Sequence, residues 1–263
     1  MTAGWAGQPL DFHFVMDSHA HLGQNDTFLI LDSGAKGMLA ANDRLGIDVA
    51  AISSLPSTIG GWTRGNDAVI DAIQAYPDRF FGYITVNAHD PSQVQSECER
   101  CWSGGCRGLK LHSAQGINYD RDELRPALEF ADAKRCPVLF HVWGRPDLQP
   151  LEELYDRYEN CRFVLAHAAC CDREAYVRAA LDHPNAYLET CVSWCPKGVI
   201  EYFVKHGLED KILWGSDAGF FAAAHQLGRV LFAEVSPKVK QKILSENART
   251  VFFGSPPSGG STR

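Results

Sequence analysis

Short apolar segments alternate with stretches of helical periodicity along the whole chain, and this alternation limits the folds that are open to it. Most of the apolar segments are near-continuous, which is typical of parallel strands that are covered on both faces. Strands that each lead into a helix favour a single-domain α/β fold of the (β/α)8 TIM-barrel type. The predicted strands are residues 14–19, 48–53, 80–86, 107–112, 138–141, 162–167, 186–189 and 212–216.

The turn after the first strand distinguishes a closed barrel from an open, doubly wound sheet. An open sheet of that type would need a glycine-rich phosphate-binding turn there. The first strand runs instead into Asp17-Ser-His-Ala-His21. The first legible helical stretch has Asn66 as a candidate N-cap. The helical stretches are residues 66–76, 122–134, 173–181 and 239–250.

The net charge and the cysteine content of the chain limit its possible binding partners and its cellular compartment. The net charge of −7 argues against nucleic acid and acidic membrane surfaces, so we expect a small-molecule substrate and leave homo-oligomer formation open. Residues 1–14 contain no Lys or Arg and no long apolar run, so we expect no secretory signal. The sequence has no stretch of about 18 apolar residues, so we also expect no membrane span. Nine cysteines in a chain too large to need disulfides indicate a reduced, cytoplasmic protein. We expect one domain over residues 1–254 and a disordered Pro-, Gly- and Ser-rich tail over residues 255–263.

Polar residues recur at the carboxyl ends of the predicted strands. In a barrel these ends open on one mouth, where active sites lie. His19 and His21 are two residues apart on a strand, so both side chains face the same side and can reach one metal ion. A lone pair of this kind is weak evidence, but other strands end in the same way. Those strand-end residues are Lys110, His112, His141, His167 and Asp217.

Each of these residues also has a purely structural interpretation. His141 could be a hydrogen-bonded core histidine, and His112 could be a loop residue bonded to backbone. Ser216 and Asp217 are good helix N-caps, although a carboxylate after a buried strand is costly unless it is paired or bound to metal. His167 is predicted to be a metal ligand or a group that acts beside the metal. Recurrence at equivalent strand ends favours the active-site interpretation.

Five motifs contain these residues, and a sixth lies near the C-terminus. Their order is Asp17-Ser-His19-Ala-His21, Gly108-Leu-Lys110-Leu-His112, Val138-Leu-Phe-His141, Phe163-Val-Leu-Ala-His167, Trp214-Gly-Ser-Asp217 and Ser245-Glu-Asn247-Ala-Arg249. Their order resembles the amidohydrolase superfamily. The resemblance is greatest to the amidohydrolase-related branch that includes the aminocarboxymuconate-semialdehyde decarboxylase-like enzymes. It extends over residues 14–253 and implies a metal-dependent TIM-barrel enzyme.

The resemblance also implies a ligand set and catalytic roles. It implies that a divalent metal ion, usually zinc, is held by His19, His21, His141 and Asp217. Asp217 would act as general base, and His167 would stabilise developing negative charge. One ion is expected. The alternative is a second metal bridged by a carboxylated Lys110, as strand-four lysines do in some amidohydrolases.

Substrate-binding candidates lie around the expected mouth. Arginine binds carboxylate through two parallel hydrogen bonds, although a surface role is as common for each arginine considered. The chain has Ala218-Gly219 where many relatives carry an aromatic residue and proline, so the substrate of a relative cannot be transferred. The candidates are Lys110, His112, Arg64, Trp143 and Arg145.

The cysteines offer two alternatives. Cys98 and Cys101 have the spacing of a zinc knuckle, but they fall in a predicted helix and no second pair follows. Cys170, Cys171 and Cys191 follow strands six and seven, near the expected pocket. A cysteine–histidine nucleophile there would leave the histidines of strand one without a role.

The leading functional interpretation is a hydrolase that cleaves a small-molecule ester, lactone or amide with metal-bound hydroxide. The alternative is a metal-dependent, non-oxidative decarboxylase, in which a protonated group delivers a proton to carbon. Two further hypotheses are a hydratase and a binding protein with a vacant barrel. An arginine facing the metal would favour the decarboxylase, because a substrate carboxylate must be held. A roomy polar mouth with no fixed cation would favour the hydrolase.

Overall fold

The computed structural model describes residues 2–12, 14–24, 29–58, 60–168, 170–192, 194 and 196–254. Eight parallel strands are hydrogen-bonded in chain order, each to the next. The proposed disordered tail, residues 255–263, lies outside the described residues. The strands are β1 (Met16–Leu22), β2 (Val49–Ser54), β3 (Phe80–Thr85), β4 (Gly108–Leu111), β5 (Pro137–Phe140), β6 (Arg162–Leu165), β7 (Ala186–Glu189) and β8 (Ile212–Leu213).

Backbone hydrogen bonds between β1 and the segment that directly follows β8 close the sheet. The amide of Ser18 donates to the carbonyl of Trp214 (3.0 Å), and the amide of Asp217 donates to the carbonyl of His19 (2.7 Å). The amide of His21 adds a third bond, to Ala218 (2.7 Å). These bonds confirm the predicted TIM barrel and bring the ends of β1 and β8 into direct contact.

The helices surround the barrel. They are α1 (Thr2–Trp5), α2 (Ala35–Leu45), α3 (Trp62–Ala75), α4 (Pro91–Ser103), α5 (Arg125–Lys134), α6 (Arg145–Leu148), α7 (Glu152–Arg157), α8 (Arg173–Asp182), α9 (Val199–Lys205), α10 (Ala223–Leu231), α11 (Pro237–Gln241) and α12 (Asn247–Phe253). A π-helical turn, Lys242–Glu246, joins the last two. Short 3₁₀ turns are Leu55–Thr58, Ser113–Gln115, Asp122–Leu124 and Gln149–Leu151. Within the described residues, no helix is long and apolar enough to cross a membrane.

Helix α3 begins before the predicted cap. The prediction that Asn66 caps it was wrong, because Asn66 is buried inside the helix. Its side-chain amide donates to the carbonyl of Thr85 (2.8 Å) and to Glu97 (2.7 Å), and its oxygen accepts from the amide of Thr85. This side chain therefore joins α3 to the end of β3.

Side chains alternate between two environments along each strand. On β4, Leu109 and Leu111 pack in the layer between strands and helices, so Lys110 points into the barrel. The lower interior is apolar and is filled by residues such as Met16, Tyr83, Leu139, Val164 and Leu213. The polar strand-end side chains therefore lie above a packed apolar plug and not in an open pore.

Candidate metal and active site

Nearly all the buried charged side chains of the described residues gather in one place. The exception is Lys240, whose ammonium group donates to the carbonyl of Leu231 at 2.8 Å. Burying a charge is costly unless it is paired or bound to metal, so such a concentration indicates a functional site. The others are Asp17, within β1, Lys110 and Glu189, near the carboxyl ends of β4 and β7, and Asp217, in the turn after β8.

His19, His21 and Asp217 form a group of metal-binding donors. The Nε2 atoms of the two histidines are 3.1 Å apart, and Asp217 Oδ1 is 3.1 Å from His21 Nε2 and 3.8 Å from His19 Nε2. All three residues are buried. Asp217 has a left-handed backbone (φ 53°), which is uncommon for a residue with a side chain. Nitrogen and carboxylate donors in this arrangement could hold a divalent metal ion.

The opposite ring nitrogens of the two histidines have their own partners. His19 Nδ1 lies 2.9 Å from Glu189 Oε2, and His21 Nδ1 lies 2.9 Å from Ser53 Oγ. A partner on one nitrogen fixes the ring orientation and the tautomer.

Asp17 is not part of the donor group: its carboxylate accepts hydrogen bonds from the amides of His19 and Ser216. It therefore holds β1 against the turn after β8.

Burial controls the protonation of this site. It lowers the pKa of both His19 and His21, so the two imidazoles are neutral, as metal ligands must be. Burial acts to raise the pKa of Asp217, but the interactions with His21, His167 and Lys110 together outweigh it and the pKa is lowered overall. Burial raises the pKa of Asp17 to about 7 and that of Glu189 to about 8.

Lys110 places a cation beside the donor group. Its side chain is fully buried, and Nζ lies 3.1 Å from His19 Nε2. Burial lowers the pKa of Lys110 to about 8, against the opposing attraction of Asp217, Cys191 and Glu189. The ammonium form is therefore still the main one at pH 7.

His141 and His167 form a neighbouring pair. His141 Nδ1 lies 3.2 Å from His167 Nε2, and His167 Nδ1 lies 2.9 Å from the carbonyl oxygen of Cys191. His167 also has a left-handed backbone (φ 58°). Among the described residues, the groups whose donor atoms all approach within 4.8 Å do not include His141. The structure therefore brings together three of the four predicted ligands and places the fourth against His167.

The remaining candidates divide between the mouth and the outer surface. His112 stacks on His141 with ring centroids 3.8 Å apart, and its Nδ1 accepts from the amide of Ala114 (3.0 Å). Burial lowers the pKa of His112 to about 3. Trp143 is 41% exposed, with its ring centroid 6.3 Å from that of His141 and 5.7 Å from that of His167. His112 and Trp143 therefore line the mouth.

The predicted arginines do not reach the donor group. Arg145 forms a surface ion pair with Asp172 at 2.8 Å. Arg64 is exposed on α3, beside a shallow cavity lined by Ser54 and Pro56. Within the described residues, Lys110 is the cationic side chain that contacts the metal-donor group.

Sequence reasoning missed Glu189. It ends a buried strand in the same way as the polar residues that were singled out, and that was the available signal.

The chain departs from many relatives at Ala218-Gly219, and this departure has a packing reason. A Cβ atom at Gly219 (φ 108°) would lie 2.8 Å from the carbonyl oxygen of His21. Cys98 and Cys101 lie in the apolar core, and neither belongs to a potential metal-binding group of the described residues.

Comparison with known proteins adds independent information. A family model described as amidohydrolase matches residues 16–254. No curated protein matches the sequence. Solved structures share the fold at low sequence identity. The 2,6-dihydroxybenzoate decarboxylase from Rhizobium is 16% identical, with a TM-score of 0.73, and the alignment covers 92% of this chain and 99% of the other.

Two further structures extend this likeness. The 5-carboxyvanillate decarboxylase from Novosphingobium aromaticivorans, complexed with manganese and 4-hydroxy-3-methoxy-5-nitrobenzoic acid, is 17% identical (TM-score 0.70; 91% and 96% covered). The 4-oxalomesaconate hydratase from Rhodopseudomonas palustris is 17% identical (TM-score 0.69; 92% and 96% covered). The leading prediction of a hydrolase was wrong: these similar enzymes are decarboxylases and a hydratase, which favours the alternative prediction.

Proposed function

This chain belongs to the amidohydrolase family, and from that premise we propose that it is a metal-dependent, non-oxidative decarboxylase of a small carboxylated substrate. The observation that carries the proposal is the buried cation at the donor group. A substrate carboxylate that enters a closed site needs a positive partner, and the arginines predicted for this role lie elsewhere. Lys110, fully buried and 3.1 Å from His19 Nε2, supplies that charge.

We propose a single divalent ion, Zn²⁺ or Mn²⁺, held by His19, His21 and Asp217, with His141 as a fourth ligand. Neutral imidazole and carboxylate donors suit both metals. The charges also favour one ion: three buried carboxyl groups (Asp17, Glu189, Asp217) face one lysine, and burial raises the pKa of Asp17 to about 7 and that of Glu189 to about 8. A bound divalent ion would stabilise their ionised forms. A carboxylated Lys110 would exchange the positive charge for a negative one, so an unmodified lysine fits one ion better.

The bound ion would supply a Lewis acid that binds substrate oxygen atoms and stabilises negative charge. Lys110 Nζ donates a hydrogen bond to a carboxylate oxygen of the substrate and so orients the bond that breaks. When that carbon–carbon bond breaks, CO₂ leaves and the electron pair stays on the substrate carbon, which must then take up a proton. We assign that transfer to Asp217, whose carboxylate is ionised at neutral pH and would relay a proton from a water molecule at the mouth to the carbon, so that it ends ionised as it began.

His167 orients the substrate in this scheme. Its Nδ1 faces a carbonyl oxygen, which only accepts, so Nδ1 carries the ring hydrogen. Its Nε2 is therefore an acceptor. It faces His141 Nδ1 at 3.2 Å, and a substrate hydroxyl group would compete for the same lone pair. Trp143 and His112 offer flat rings at the mouth, which suit a planar substrate such as an aromatic acid.

The direct experiment is a CO₂-release assay on purified protein loaded with Zn²⁺ or Mn²⁺. The panel contains hydroxybenzoates and aliphatic oxo acids, with esters, lactones and unsaturated acids beside them. We expect CO₂ from at least one aromatic acid, and its loss in Asp217→Asn. Hydration of an unsaturated acid, or cleavage of an ester, without any CO₂ release would overturn the proposal.

We also propose a reducing, cytoplasmic setting. The cysteines of the described residues are all free, and most are buried in apolar surroundings. Burial raises the pKa of Cys98 and Cys106 to about 12, so these thiols are unreactive packing groups. Neither nucleic acid nor a membrane is required by any feature of the site.

A further inference from the structure

Glu189 is a fully buried carboxylate that sits behind the metal-donor group and not in it. It accepts hydrogen bonds from both the backbone amide and the thiol of Cys191, the latter at 3.0 Å, and it faces His19 Nδ1 at 2.9 Å. Space for it is provided by Gly215, where a Cβ atom would lie 2.4 Å from Glu189 Oε1. The fold therefore accommodates this carboxylate at one defined place.

The hydrogen-bond chemistry of His19 follows from this contact. A neutral imidazole has one N–H donor and one acceptor nitrogen, and an ionised carboxylate only accepts. The amide and the thiol of Cys191 donate to the two oxygen atoms of Glu189, as to an ionised carboxylate, and a bound divalent cation would favour that form against the effect of burial. Glu189 therefore places the ring hydrogen on Nδ1 and leaves the lone pair on Nε2. Nε2 is the atom that faces His21 and Asp217.

Cys191 connects this arrangement to the second histidine pair. Its thiol sulfur lies 3.2 Å from His19 Nδ1 and 3.6 Å from His167 Nδ1, and its carbonyl oxygen faces His167 Nδ1 at 2.9 Å. One residue thus contacts the rings of both histidines from behind.

A second metal ion is the competing interpretation, because donor atoms of His19, His167, Glu189 and Cys191 also lie within 4.8 Å of one another. The hydrogen bond to the carbonyl of Cys191 argues against it. That bond puts a hydrogen on His167 Nδ1, which therefore has no lone pair to offer on this side. The four residues are better described as a hydrogen-bonded layer than as a ligand set.

We infer that Glu189 and Cys191 are positioning residues that hold His19 in the tautomer that presents Nε2 to the metal. Carboxylates that bond to a metal-bound histidine typically change metal affinity about 10- to 100-fold when removed. The inference rests on the proposed metal site but not on the reaction catalysed there.

The test is Co²⁺ titration of metal-free protein, followed by visible absorption, in Glu189→Gln, Cys191→Ala and Cys191→Ser. Matched controls are Glu129→Gln, an exposed carboxylate on α5, and Cys106→Ser, a buried thiol of the apolar core. Circular dichroism establishes that each variant is folded. We expect Glu189→Gln to weaken Co²⁺ binding about 10- to 100-fold and to alter the cobalt spectrum, while the controls stay within twofold of wild type.

Cys191→Ser, which keeps a hydrogen-bond donor, should bind Co²⁺ more tightly than Cys191→Ala. Three results would overturn the inference: wild-type affinity in Glu189→Gln, a thiolate-to-cobalt absorption band that Cys191→Ser abolishes, or a stoichiometry that falls from two ions to one in Glu189→Gln. Wild-type protein that binds no Co²⁺ would remove its premise. Normal Co²⁺ binding without CO₂ release would refute the decarboxylase alone.

Discussion

Replacing Lys110 with methionine should affect stability and activity in opposite directions. Methionine keeps the length of the chain and removes the charge. At pH 7 the lysine is protonated in both the folded and the unfolded chain, and its pKa falls from 10.5 to about 8 on folding. At 1.36 kcal/mol per pKa unit, the buried charge costs the folded, metal-free protein about 3 kcal/mol.

Part of this gain is lost with the hydrogen bond to His19, which is worth about 1 kcal/mol. We therefore expect Lys110→Met to raise the free energy of unfolding of the metal-free protein by about 2 kcal/mol at pH 7. The gain should shrink as the pH rises from 8 to 10.5, because the folded wild-type lysine is then losing its proton. Urea denaturation at several pH values measures this.

The same substitution should lower kcat/KM for CO₂ release. A hydrogen bond from a charged group to the substrate carboxylate is worth about 1.5–3 kcal/mol, which corresponds to a loss of roughly 10- to 150-fold. Lys205→Met, at an exposed position on α9, is the control and should change neither quantity. A variant that is less stable than wild type, or that keeps its kcat/KM, would refute the role given to Lys110.

Three other substitutions and one treatment test the account. His21→Ala should abolish turnover in a folded protein, as judged by circular dichroism, and near-normal turnover would contradict the ligand assignment. Trp143→Ala should raise KM about three- to tenfold with little change in kcat, since it removes one aromatic contact at the mouth; an unchanged KM would exclude that contact. Gly215→Ala should displace Glu189 and destabilise the protein by about 1–3 kcal/mol, measured by thermal unfolding, whereas wild-type stability would mean that the close approach is not real. Chelation should remove activity, and Zn²⁺ or Mn²⁺ should restore it; activity that persists after confirmed metal loss would exclude metal catalysis.

The barrel was predictable because its strands are apolar runs with polar residues at one end. The pair His19 and His21 needed only the two-residue periodicity of a strand. The closeness of Asp217 to them followed from the closure of β8 on β1, which any barrel imposes.

Other features depend on contacts between distant parts of the chain. Arg145 was predicted to bind a substrate, but it pairs with Asp172, which directly precedes α8. Glu189 acquires its role only through His19, 170 residues away, and no local pattern marks that pairing. The start of α3 was misplaced because Asn66 bonds to β3 and does not cap its own helix.

The central claim is that side chains from β1 and from the turn after β8 hold one metal ion. Anomalous X-ray scattering from crystals grown with Zn²⁺ or Mn²⁺ tests this most directly. The account predicts one strong peak per chain, bonded to His19 Nε2, His21 Nε2 and a carboxylate oxygen of Asp217. A peak among Glu189, Cys191 and His167, or no peak within bonding distance of the β1 histidines, would contradict it.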